Sequence, residues 1–234
     1  MKTIDVCLSP DLIHLYDVSD KIVVVVDILR ATSCMVTALA HGVECIVPVA
    51  NENECERMKL KGYVISGERN GQKIPGFDKG NSPFEYRDKN LEGLKIAFTT
   101  TNGTQAIEKS KNARSILIGS FLNLSAISRY LLMCKNNILI VCAGWKGKIN
   151  LEDSLFAGAL VDNLRKHIEP DCDAPIIAQR LYLSAKDDMV KFLATSSHVK
   201  RLNRLNIFKD IEFCLTPDQY HIVPVLKRGK LVLL

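Results

Sequence analysis

No C-x-x-C pair occurs among the eight cysteines of this 234-residue chain, so neither a zinc ribbon nor a dithiol redox motif is supported. Several of the cysteines fall inside apolar runs and read as reduced, mostly buried thiols. Aromatic residues make up only 6%, too few to interleave with basic residues as a nucleic-acid face requires. No apolar run reaches membrane-spanning length, and stretches such as Ile22 to Val26 are strand-length. The opening Met1-Lys2-Thr3-Ile4-Asp5 lacks the apolar core of a signal peptide, so a cytoplasmic protein is expected, free of membrane and nucleic acid. Familiar phosphotransfer signatures are missing as well. There is no G-x-x-x-x-G-K-[ST] string, no cysteine has an arginine six positions later, and Asp27 has Leu29 rather than a second aspartate two positions on. Five scattered histidines cannot build a two-metal zinc cage.

What is present is an ample core, with 47% hydrophobic residues, and a mild positive charge of +5 from 31 basic against 26 acidic side chains. The excess gathers toward the C-terminal third, around Lys200, Arg201, Arg204, Lys227, Arg228 and Lys230, which suits anionic substrates. Strand-like runs alternate with helical patterns throughout, the mark of an α/β protein with a mostly parallel sheet. Strands are predicted over 4–8, 22–26, 45–49, 64–66, 95–99, 116–118 and 138–142. Helices are predicted over 32–41, 52–61, 105–111, 125–134, 152–167, 176–184, 187–195 and 198–206, and a terminal hairpin turns at Arg228-Gly229. Two strand-loop-helix modules of similar style suggest two sub-domains, 1–122 and 123–234. Residues 70–85, rich in Gly, Pro and Asn, form a long loop that Ile74, Phe77 and Phe84 would order.

The reactive-looking residues fall at the C-terminal ends of the apolar runs, the edge of an open α/β sheet where ligands bind. Asp27-Ile28-Leu29-Arg30-Ala31-Thr32-Ser33 places an acid, a guanidinium and two hydroxyls at a helix start. Those are parts that a metal-bound phosphate needs, although a cap with an Asp27–Arg30 pair explains them equally. Gly67-Glu68-Arg69-Asn70-Gly71 sets a second acid and arginine between glycines, or is a surface turn with an ion pair. Thr99-Thr100-Thr101-Asn102-Gly103-Thr104 could cradle anionic oxygens, or be a turn and N-cap. Glu152 and Asp153 open a helix after Asn150, as adjacent carboxylates wanting a cation or as a capping-box-like pair. His198, after two serines, is a candidate proton carrier, with a structural role as the alternative. Cys214 reads as a buried small hydrophobe.

Taken together, these segments resemble the 2-phosphosulfolactate phosphatase family. The matching stretches are Val24 to Ser33, Gly67-Glu68-Arg69, and Gly76-Phe77-Asp78-Lys79-Gly80-Asn81-Ser82-Pro83. Thr101 to Thr104, Cys142-Ala143-Gly144, Glu152-Asp153, Ala157-Gly158, Ser197-His198, Asp210, Cys214, Asp218 and Val223-Pro224 continue the match in order. The G-F-D-x-G-N-S-P string is the most specific, because no generic structural need dictates it. The resemblance implies three-layer αβα architecture with the active site between two similar sub-domains. It further implies a Mg²⁺-dependent hydrolase that converts (R)-2-phospho-3-sulfolactate to (R)-3-sulfolactate and phosphate, an early step toward coenzyme M.

Carried over, Asp27, Glu68, Glu152 and Asp153 would form the metal environment, with Asp27, Glu68, Arg30 and His198 catalytic. Arg30, Arg69, Thr32, Asn81, Ser82, Asn102, Gly103 and Thr104 would bind the substrate. The expected partner is a small anionic phosphoester, and a homodimer is compatible. Asn70 and Asn206 stand where the resemblance expects glycine, and both tolerate left-handed backbone. The attacking group, whether water, Asp27 or a cysteine, is left open, and so is a non-catalytic role in binding phosphorylated or sulfonated acids.

Overall fold

The computed structural model describes residues 2–234, and the predicted alternation holds through it. The chain begins with β1 (Thr3–Cys7), β2 (Ile22–Val26), α1 (Ala31–Ala40), β3 (Cys45–Pro48), α2 (Glu52–Lys59), β4 (Val64–Arg69) and the short β5 (Gln72–Lys73). Next come β6 (Lys95–Thr99), α3 (Gly103–Lys109), β7 (Ser115–Gly119), α4 (Leu124–Met133), β8 (Ile138–Cys142) and α5 (Leu151–Leu164). Then follow β9 (Glu169–Pro170), α6 (Asp173–Ala185), α7 (Met189–Leu193), α8 (Ser197–Asn203), α9 (Phe208–Cys214) and the hairpin of β10 (Pro224–Lys227) and β11 (Lys230–Leu233). The sequence pattern misses β5, β9 and α9. The strands are two residues each, and α9 spans seven, about two helical turns, too little for a 3.6-residue period to declare itself.

All five residues of β2 are buried, because β7 and β8 flank it in parallel and helices cover both faces. Successive side chains point to opposite faces, so Val24 and Val26 enter one core with Ile127, Phe156 and Leu160 of α4 and α5. Val23 and Val25 enter another with Met35, Leu39 and Ile107 of α1 and α3. A third, smaller cluster packs Cys55 of α2 on Ile65 and Ala97 and includes Ile74 and Phe77, which order the Gly/Pro-rich loop as expected. This is the expected three-layer α/β arrangement. Outside the sheet, α5 is closely covered by α6, and Gly158 sits where any Cβ would collide with the Ala178 carbonyl.

Eleven strands form one sheet in the order β5-β4-β6-β3-β11-β10-β7-β2-β8-β1-β9. It consists of two mainly parallel ladders, β4-β6-β3 and β7-β2-β8-β1-β9, joined by the antiparallel C-terminal hairpin. Each junction is a single residue pair, Val225 with Leu117 and Leu231 with Ile46. These ladders are not consecutive halves of the chain. A cut at 122/123 would part β1 and β2 from β8, the strand hydrogen-bonded between them. Long-range pairing decides this division, and the local modules do not report it.

The same order poses a geometric problem. Five strands separate β4, which carries Glu68, from β2, which delivers Asp27. Six inter-strand spacings in a flat sheet would hold them roughly 29 Å apart. Both nevertheless line one cleft, so the sheet coils enough to bring the carboxyl ends of the two ladders together.

Candidate active site

Asp27 leaves β2 and turns at once into α1. Its backbone N–H donates to the Thr32 hydroxyl (3.0 Å) and its carbonyl accepts from the Thr32 N–H (3.0 Å), which closes the turn. Thr32 is therefore consumed inside the loop, fully buried, and does not line the cleft. The Asp27 carboxylate is itself only 7% exposed, yet among the described residues its one hydrogen bond is a long contact from the Ala31 N–H at 3.4 Å. Burial is the main cause that lifts its carboxyl to about 7; Glu68 and Glu152 add to the lift, while His198 and the Ala31 N–H oppose it. Gly103 makes the close approach of α3 possible, since a Cβ there would lie 2.9 Å from Asp27 Oδ2 and 2.8 Å from the Ala31 methyl.

Glu68 lines the cleft from β4 and organises the backbone around it. One oxygen accepts from the Gly71 N–H (2.7 Å), and the other accepts from the Thr101 N–H (3.0 Å) and hydroxyl (2.9 Å). This links the two loops expected to carry substrate contacts. Asn70 and Asn206 both take the left-handed conformation, at φ 54° and 58°.

The arginines divide differently from the expectation. Arg30 lines the cleft, 5% exposed, with one guanidinium nitrogen on Asp210 and the other on the Gly71 carbonyl at 2.8 Å. Arg69 turns away. It pairs with Glu52 (3.0 Å) and donates to the Glu68 carbonyl (2.8 Å), outside the cleft, because side chains alternate along β4 and Glu68 already takes the inward face. The guanidinium that does join Arg30 is Arg201, on α8. Sequence reading counted Arg201 only as part of the basic bias, and passed over Trp145 beside it. The chain's one tryptophan in a glycine-flanked loop at a strand end was the available signal.

The expected acidic cluster also splits by role. Asp153 is fully buried at the start of α5, its oxygens accepting from the Ile28 N–H (2.8 Å) and the Gly144 N–H (3.0 Å). It ties the exit of β2 to the exit of β8. Burial, then Asp27 and Glu152, push its carboxyl well above the usual range. Glu152, also fully buried, accepts from Asn150 (3.0 Å) and contacts His198 Nδ1, while its Oε2 has no partner. His198 reaches the cleft from α8 and stacks on Trp145 with ring centroids 6.4 Å apart.

Asn81, from the G-F-D-x-G-N-S-P block, lines the cleft with its side-chain oxygen unpartnered. Ser82 donates instead to Asp210 (2.9 Å), holding the partner of Arg30. Asn102 lines the cleft and accepts from the Lys146 N–H at 3.2 Å. Thr104 caps its own turn through Thr100 and faces away from the cleft. No cysteine is among the residues lining the cleft, and burial pushes the Cys214 thiol up to about 12, far from the thiolate a nucleophile needs.

Comparison with known proteins bears on this cleft. Residues 7–229 match the family model described as 2-phosphosulpholactate phosphatase. The chain is 43% identical over 230 residues to a protein of Thermotoga petrophila, covering 98% of each. It is 44% identical over 230 residues to one of Thermotoga maritima, again 98% of each, and 39% identical over 218 residues to one of Caldanaerobacter subterraneus, covering 91% of this chain and 90% of that one. Each of the three is named a probable 2-phosphosulfolactate phosphatase. No helix among the described residues is long and apolar enough to cross a membrane.

Proposed function

The chain belongs to the 2-phosphosulfolactate phosphatase family of phosphoric monoester hydrolases, and from that premise we propose that it cleaves (R)-2-phospho-3-sulfolactate to (R)-3-sulfolactate and phosphate with the help of Mg²⁺. The observation that carries the reading is Asp27: a buried carboxylate lifted to about 7, in the field of Glu68 and Glu152, and without an ion pair among the described residues.

A hard divalent cation fits that donor set, because it offsets a repulsion that no lysine or arginine paired to Asp27 relieves. Asp27 would be its direct ligand, with Glu68 and the unpartnered Oε2 of Glu152 as the neighbouring oxygens. Asp153 would act one step removed, by fixing the two loops. Among the described residues no three His, Cys, Asp or Glu side chains form a ready cage. Mg²⁺ suits this arrangement, since it is commonly held by one or two carboxylates, with water and substrate phosphate oxygens completing its shell. Bound there, it supplies neutralisation of charge on the phosphoryl oxygens.

The chain's own groups supply the remainder. Arg30, immobilised by Asp210 and the Gly71 carbonyl, presents a fixed cation to the phosphoryl group. Water attacks phosphorus in line, leaving one proton on the phosphate and releasing the other to solvent. The P–O ester bond breaks, and the departing alkoxide oxygen takes a proton from His198 Nε2, which solvent then restores. Glu152 orients that imidazole through Nδ1. A water nucleophile requires one solvent oxygen in the released phosphate.

The deciding experiment measures phosphate release from a panel of small phosphoesters in Mg²⁺ and in chelator, with one turnover in ¹⁸O-water. Metal-dependent release from 2-phosphosulfolactate, with ¹⁸O in the phosphate and no covalent phosphoenzyme, is expected. No release from it or its close analogues would remove the assignment.

A further inference from the structure

We propose that Arg201 and Trp145 form a second anion subsite in this cleft, taking an acidic group of the substrate other than its phosphate; the proposal rests on the phosphatase reading above. The two cleft arginines differ in what they have left to give. Arg30 already shares its charge with Asp210 and donates to the Gly71 carbonyl, whereas Arg201 makes no ion pair among the described residues. The Arg201 guanidinium lies over the Trp145 ring, 4.7 Å from its centroid, which fixes the plane of its donor fork. Its Nε is buried with no acceptor. A buried donor left unpaired is costly, and a ligand oxygen in the cleft would satisfy it.

Trp145 is held by the small hairpin it opens, through paired backbone bonds with Lys148 at 2.9 and 3.0 Å. Its ring also carries the Lys146 ammonium, 4.9 Å from the centroid, so two cations share one aromatic shelf. Arg201 stands three residues beyond His198 on α8, and residues so spaced lie on one helix face. An acidic group gripped by the planar fork would thus be held one helical turn from the imidazole. That arrangement orients the substrate and favours phosphoesters with an acidic tail over those with a neutral one.

Trp145 is the only tryptophan in the chain, so its fluorescence reports on the subsite directly. Titration with 3-sulfolactate, which carries no phosphate, should give a saturable signal in the wild-type protein. Arg201→Gln should weaken that binding about 10- to 100-fold, the loss expected for a charge-assisted contact, and Arg201→Lys by an intermediate factor. In turnover, Arg201→Gln should lower the ratio of kcat/KM for 2-phosphosulfolactate over isopropyl phosphate at least about tenfold. Parallel titrations with isethionate and with lactate distinguish a sulfonate from a carboxylate as the group bound.

Affinity for 3-sulfolactate within twofold of wild type in Arg201→Gln would overturn the proposal, and so would an equal loss of kcat/KM on both esters. Should Arg201→Gln fail to fold by circular dichroism, Arg201→Lys decides, and wild-type affinity there also overturns it. A wild-type protein that binds 3-sulfolactate at Trp145 but hydrolyses no phosphoester would sink the phosphatase reading and leave the subsite standing.

Discussion

Replacing Asp27 by asparagine should make the metal-free protein more stable at neutral pH while removing its activity. A free aspartate titrates at 3.8, and the folded protein lifts Asp27 to about 7, chiefly by burial. The native state therefore binds a proton more tightly than the unfolded state, and between these two values it holds the greater number of protons. Stability accordingly falls as pH rises from about 4 to 7 and stays low above it. Three pH units at about 1.4 kcal/mol each set a limit of about 4 kcal/mol, and roughly half to all of this should be recovered when the charge is removed. For a chain of this length that corresponds to roughly 5–10 °C in Tm.

The assay is thermal unfolding by circular dichroism in chelator at pH 5.5 and pH 8.0. Wild type should melt lower at pH 8.0, whereas Asp27→Asn should melt higher than wild type there and lose most of the pH dependence. A residual slope belongs to Asp153, which burial also pushes up. Mg²⁺ should raise the wild-type Tm at pH 8.0 and leave the variant unmoved. A variant less stable than wild type at pH 8.0 in chelator, or one that keeps the full pH slope, would refute the picture of Asp27 as an uncompensated buried charge.

Three further outcomes separate residues that a sequence motif groups together. Arg30→Ala should cost about 3 kcal/mol or more, because it strands Asp210 as a buried unpaired charge, whereas Arg69→Ala breaks a half-exposed pair worth under about 1 kcal/mol; urea unfolding of both measures the contrast. Equal losses would place Arg69 in the cleft after all. Gly103→Ala puts a methyl against Asp27 Oδ2 and the Ala31 methyl, and should lower kcat about tenfold or more while most of the stability is retained, as read by kinetics alongside melting. Glu152→Gln removes the carboxylate that orients His198, so kcat should drop roughly 100-fold with a smaller change in KM; unchanged kcat would rule out His198 as the proton donor.

Local features of the fold are well represented in the sequence. The unbroken apolar runs of Ile22–Val26 and Ile138–Cys142, the glycine after α1 and the Asn51 cap of α2 depend on neighbours a few residues away. Those neighbours are printed next to one another in the chain. The acids and glycines at strand ends were visible for the same reason, and Asp27, Glu68, Arg30, Asn81, Asn102 and His198 do line one cleft. The G-F-D-x-G-N-S-P block was noticed because its composition is unusual, although the task of its Ser82 was not.

Tertiary structure alone decided the rest. Arg69 and Arg201 are equivalent as letters, and only strand alternation at β4 and the docking of α8 send one out and the other in. Asp153 and Glu152 are adjacent, but a single helical step turns one to the Ile28 and Gly144 amides and the other to His198. Asp210, 180 residues from Arg30, acquires its role through a contact with no local signature. Above all, the coil of an eleven-stranded sheet brings Asp27 and Glu68 together, and it arises from pairings between segments far apart in the chain. Local propensity can specify each strand, but the closure between strands follows from their order and twist.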